Sequence, residues 1–125
     1  MALRGRHGDP AAALARYAEV LPRLHEAGAD GFALTAVRNL VVLLVRTGRD
    51  AAALQLHAAV DRVGAATAYG SESGRLDAAI DAATRRLDPR SERAARDRGG
   101  AIASLTELTV EALRVIAEAR GPATS

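Results

Sequence analysis

Shifted against itself by forty positions, the chain matches itself in a single register. Leu3 falls on Leu43, Arg6 on Arg46 and Gly8 on Gly48, and Ala11-Ala12-Ala13-Leu14 falls on Ala51-Ala52-Ala53-Leu54. Ala18 meets Ala58, and Val20 meets Val60. There are 30 alanines among the 125 residues, so alanine matches carry little weight. Leucine, glycine and arginine matches at the same offset carry more. A fixed period of this size marks a helical repeat, whose units bury their faces against neighbours.

Composition agrees. The hydrophobic fraction is 49% and the aromatic fraction only 2%, so a core has to be built from Ala, Leu and Val. That is too apolar for a disordered chain. Alanine has the best helix propensity and lets helices approach closely. Valine does not alternate with polar residues over any stretch, which leaves little case for strands. An all-α, single-domain chain is expected.

Other classes are narrowed in the same way. There is no cysteine, hence no disulfide and no thiolate metal site. No stretch approaches the roughly 18 apolar residues of a membrane span, and the start lacks a signal-peptide core. A cytoplasmic setting is the default expectation. All 17 basic residues are arginine, and the net charge is only +2. The high pI reflects arginine's pKa rather than a large cationic excess, so strong nucleic-acid binding is not implied.

Start and stop signals place the helices. Asp9-Pro10 reads as an N-cap plus first-turn proline for a helix to about Ala27, ended by Gly28, with Pro22 bending or dividing it. Gly31 to Thr47 follows, closed by Gly48. Its run from Leu40 to Val45 could be a buried strand, but the spacing of Phe32, Ala36, Leu40 and Leu43 favours a buried helix. Asp50 is expected to cap a third helix to about Thr67, and a loop from Tyr69 to Gly74 to open a fourth, ending near Leu87. Asp88-Pro89 starts a short fifth, ended by Gly99-Gly100. Thr106 is expected to cap the last, with Leu105 and Val110 as a hydrophobic staple and Leu108, Ala112, Val115, Ile116 and Ala119 as its apolar stripe. Gly121-Pro122 stops it. Residues 2–27 form a repeat remnant, 31–67 a full repeat, 71–120 the C-terminal helices and 121–125 a loose tail. Leu40, Leu43, Leu44 and Leu54 are expected among the most buried residues.

The residues in register are similar to a tetratricopeptide unit. Val37, Asn39-Leu40 and Leu44 take the apolar places of a first helix, and Gly48 the turn. Ala53 and His57 take the place of a small residue and an aromatic, as Ala13 and Tyr17 do one period earlier. The period exceeds that family's, and Val41 stands where a small residue is usual. The strings GDPAAALARYAEVLPRLHEAG, AVRNLVVLLVRTGRDAAALQLHAAV, YGSESGRLDAAID and LTELTVEALRVI, in that order, resemble the C-terminal helical region of large actinobacterial regulators. Those are STAND-type proteins, with an oligomerisation ATPase and a DNA-binding or cyclase domain elsewhere. The resemblance implies a TPR-like α-solenoid of antiparallel helix–turn–helix units in five or six helices. It also implies a non-catalytic sensor or scaffold role in a transcriptional regulator.

Candidate sites follow from the same register. The family's groove positions fall on Thr35, Arg38, Val42, Val45 and Arg46; Arg38 offers a donor fork suited to a peptide carboxylate. The bland alternative is that the apolar members only pack on a neighbour. Within the resemblance, Met1 lies inside a repeat, and Ala2 to His7 is too short to cover Leu14, Tyr17, Val20, Leu21 and Leu24. Some of that surface is expected to stay exposed, as a contiguous patch for a homodimer or a missing upstream segment of the same protein.

Catalysis is not supported. His7, His25 and His57 lie 18 and 32 residues apart, without metal-ligand spacing. His57 reads as packing. No phosphate-binding loop motif is present, and no cofactor is expected. The loop from Gly70 to Gly74 could hold an anion at a helix start, though an ordinary cap looks the same. Arg85, Arg86, Arg90, Arg93, Arg96 and Arg98 form the densest basic run. Asp81–Arg85, Glu92–Arg96 and Arg93–Asp97 are spaced as surface pairs on solvated helices. A protein or peptide partner is the leading expectation, and a nucleic-acid surface on this run is the alternative. Steep salt dependence separates the second from the first.

Overall fold

The computed structural model describes residues 10–63 and 73–120. These form six helices: α1 (Pro10–Glu26), α2 (Asp30–Arg46), α3 (Asp50–Val63), α4 (Ser73–Arg86), α5 (Pro89–Gly100) and α6 (Leu105–Arg120). No strand occurs among the described residues. The Leu40 to Val45 run is helical throughout. The Asp9 cap, the end of the third helix beyond Val63, the loop before Ser73 and the tail lie outside the described residues.

The glycine stops act as their positions demand. Gly28 and Gly48 have φ of +72° and +82°, the left-handed conformation that costs glycine nothing. Around each, two paired bonds close the helix. Ala29 N–H donates to Leu24 (2.9 Å) and Gly28 N–H to His25 (3.1 Å), as Arg49 does to Leu44 (2.8 Å) and Gly48 to Val45 (3.1 Å). These three-residue reversals fold α1, α2 and α3 back on one another. Asp88 caps α5 with Pro89 behind it, its carboxylate accepting from Ser91 N–H at 3.1 Å.

Several starts and stops differ from expectation. Pro22 lies within α1 without dividing it. Asp50 is the first residue of α3 rather than its cap: the Arg49 carbonyl accepts the first helical bond, from Ala53 N–H at 3.0 Å, and the Asp50 carboxylate is held by Arg86 at 2.8 Å. Ser104, not Thr106, caps α6: its hydroxyl accepts from Glu107 N–H (3.1 Å), and the Glu107 carboxylate accepts from Ala103 N–H (2.8 Å). That shift of register puts Val110 61% exposed, so it forms no staple. Gly99 and Gly100 do end α5, as its last two helical residues.

The core runs through all six helices. Leu40, Leu44 and Leu54 are fully buried, together with Leu21, Leu56, Leu108 and Ile116. Leu43 is only half-buried, since the inner face of α2 is taken by Ala33, Leu34, Val37, Leu40, Val41 and Leu44. α3 is the hub, packing on α2, α4, α5 and α6, while α2 also contacts α1 and α4. α6 doubles back onto α1 and α3 and buries Leu108, Ala112, Val115 and Ile116 of the expected stripe, with Ala119 half-buried at its end. A one-directional stack of repeats does not bring its first and last helices together in this way.

Candidate functional site

The groove positions on α2 separate by depth. Residues three and four apart share a helix face, and Thr35, Arg38 and Val42 are half-buried along one. Arg46 is exposed at its end, and Phe32 is 73% exposed at its beginning. Val45 is 7% exposed and belongs to the core, with its carbonyl receiving Arg86 Nη2 at 3.4 Å. Arg38 and Arg46 make no hydrogen bond or ion pair with any described residue.

Two of the residues expected on a bare face of α1 are covered within the chain. Leu21 is fully buried and Leu14 is 4% exposed, because α6 and α2 pack on that side. Tyr17 and Leu24 are half-buried, and Val20 is 37% exposed. The expectation took only Ala2 to His7 as available cover; the cover comes from the other end of the chain. On its outer side α1 keeps a hollow of about 340 Å³ lined by Ala12, Ala13, Arg16, Tyr17 and Val20.

The histidines serve packing. His25 Nε2 meets the Thr106 hydroxyl at 3.0 Å, and its Nδ1 is buried without a partner. His57 Nδ1 is likewise sealed and unpartnered. Burial lowers the His57 pKa below its ordinary 6.5; Asp61 and Asp77 oppose the shift, and Arg96 and Arg38 add to it. His7 lies outside the described residues. Among the described residues, no three His, Asp or Glu side chains converge as a metal site would require.

The basic run is broken up by the fold. Arg86 bonds Asp50 across helices, and Arg96 bonds Glu92 (3.1 Å) and Thr84 (3.4 Å). Glu92–Arg96 is therefore the expected pair that forms, whereas Asp81–Arg85 and Arg93–Asp97 do not. Arg85, Arg90 and Arg93 are exposed on two different helices.

A feature with no signal in the sequence lies between the α2–α3 turn, α5 and α6. It is a cleft of about 430 Å³ lined by Gly48, Arg49, Asp50, Ala51, Ala52, Gln55, Leu87, Arg98, Arg114, Val115, Glu118 and Ala119. Arg49 Nη2 donates to the Ala119 carbonyl at 2.9 Å. Arg114 is held by Glu111 and Glu118, and Gln55, 7% exposed, donates its amide N–H to Glu111. These residues are scattered over some seventy positions, which is why no local motif announces them.

No protein-family model, no curated protein and no solved structure matches this chain.

Proposed function

We propose that the chain is a non-catalytic protein-interaction module, acting as sensor or scaffold within a larger regulator. The TPR-like resemblance of the α2–α3 unit supports that reading. The observation that carries it is the outer strip of α2. Thr35, Arg38 and Val42 run between exposed Phe32 and exposed Arg46 on a helix whose opposite face is core. Such a strip offers apolar contact flanked by two arginines without described partners, the mixed chemistry by which helices recognise protein segments. His25 and His57 each keep one ring nitrogen sealed in packing, which favours a structural role for both.

A photo-crosslinking residue at position 42 of the intact regulator, against a control at position 90, tests this. Crosslinks from position 42 are expected to fall on one defined protein segment. Arg38→Glu combined with Val42→Asp is expected to abolish that association with helical content unchanged. Equal crosslinking from position 90, or association indifferent to the double substitution, refutes the assignment.

A further inference from the structure

We propose that the cleft between the α2–α3 turn, α5 and α6 binds a small organic acid, carboxylate or phosphate, that carries an N–H or O–H donor beside its acidic group. Its volume of about 430 Å³ lies within the range of small-molecule sites. The charges sort themselves. Among the lining residues, Arg114 is neutralised by Glu111 and Glu118, and Asp50 by Arg86. Arg49 gives one N–H to the Ala119 carbonyl and is paired with no carboxylate of the described residues. Arg98 is exposed, lines the cleft and makes no hydrogen bond or ion pair with any described residue. Two uncompensated guanidinium groups therefore flank the partly apolar lining of Leu87, Ala52 and Val115, an arrangement complementary to an anion.

The second observation is Gln55, more than nine-tenths buried. Its amide nitrogen is committed to Glu111, which orients the side chain. Its side-chain carbonyl receives no hydrogen bond from any described residue. The side-chain polar atoms that are both sealed and unpartnered are Nδ1 of His25 and of His57 alone among the described residues. The Gln55 carbonyl oxygen is therefore not sealed, and in a residue that lines the cleft it is an acceptor that a ligand's donor can satisfy. An acid with an adjacent N–H or O–H satisfies the arginines and Gln55 together. No described aromatic residue lines the cleft, so stacking of a nucleobase is not what it is built for.

Amide and arginine-Nε NMR titration of the whole chain tests this with three probes. N-acetylaspartate supplies carboxylates and an N–H donor; succinate supplies carboxylates alone; inorganic phosphate supplies the other acidic group. Saturable shifts confined to residues 48–55 and Arg98 are expected with N-acetylaspartate, and binding about tenfold weaker with succinate. Tighter binding of phosphate keeps the site and assigns its acidic group. Arg98→Gln is expected to weaken binding about tenfold or more, with Arg90→Gln, an exposed arginine elsewhere on α5, leaving it unchanged. Lack of saturation by all three at about 10 mM, or equal losses in the two arginine variants, overturns the site. Equal affinity for succinate and N-acetylaspartate overturns the role of Gln55.

Discussion

Gly99 of α5 lies against the backbone carbonyl of Gln55 in α3, so closely that a methyl group at position 99 would sit 2.1 Å from that oxygen. It would also meet Ala58 Cβ at 2.8 Å and the Ala59 nitrogen at 3.0 Å. Two of these three neighbours are backbone, which cannot swing aside. The missing side chain is what lets α5 seat on α3, the hub of the fold. Gly100, one residue on, has nothing within 4 Å of such a methyl.

The pair therefore separates packing from propensity. Alanine gains about 1 kcal/mol over glycine inside a helix, whereas overpacking costs about 1–3 kcal/mol and more where backbone must move. Gly99→Ala is expected to destabilise the protein by about 1–3 kcal/mol net of propensity. Gly100→Ala is expected to be neutral or slightly stabilising. Urea unfolding of both checks this, and equal midpoints would show that α5 is not seated as described.

Ser104 and Thr106 give a second discrimination. Only Ser104 accepts the Glu107 N–H, at 3.1 Å, while Thr106 meets His25. Ser104→Ala is expected to cost about 0.5–2 kcal/mol, the range for losing an N-cap. Thr106→Ala leaves the cap intact and is expected to cost less. The reverse order in thermal melts would move the start of α6 back to Thr106.

These cases show what was legible in the residues. Gly28, Gly48 and Asp88 were readable because a left-handed stop or an N-cap is a local demand, met within a few residues. Leu40, Leu44 and Leu54 were readable because a helix's inner face repeats with its own period. Ser104-x-x-Glu107 spells the capping box that forms, whereas the cap was expected on Thr106, since the apolar Leu105–Val110 spacing fits a staple but does not say which hydroxyl meets the free N–H. The Asp50–Arg86 bond, 36 residues apart, has no local trace. Nor does the return of α6 onto α1, since its apolar stripe says that it is covered and not by what. Of the groove positions, Val45 shows the limit: one helical step from Arg46 separates core from solvent.

A pH dependence follows from His57. Its folded pKa is depressed, first of all by burial, below the 6.5 that it regains on unfolding. The unfolded chain therefore takes up the proton first as the solution is acidified. Stability from the neutral imidazole is complete above pH 6.5 and is lost as pH falls through that value towards the folded pKa. The ring is only partly buried, so the effect is modest. The Asp88 carboxyl, held below its usual 3.8 by the Ser91 hydroxyl, is already ionised across this window and adds no slope. Denaturation midpoints at pH 7.5 and 5.5 should fall on acidification in the native chain and fall less in His57→Gln. Equal slopes would place the titrating group elsewhere.

Leu21 decides between an interface and a core. Were α1 an uncovered end, truncating its leucines would weaken self-association and leave the protomer's stability nearly unchanged. Leu21 is instead fully buried within the chain, in one apolar cluster with Leu108, Ala112, Val115 and Ile116 of α6. Leu21→Ala removes side-chain volume from that cluster, and partial relaxation leaves a cavity behind. The expected cost is about 2–5 kcal/mol, the range for buried leucines. Val20→Ala, on the partly exposed side of the same helix, is expected to cost far less. Light scattering at micromolar protein should then give the same mass for native chain and both variants, while urea midpoints diverge. A Leu21→Ala protein of native stability but lower mass would restore α1 as an association surface.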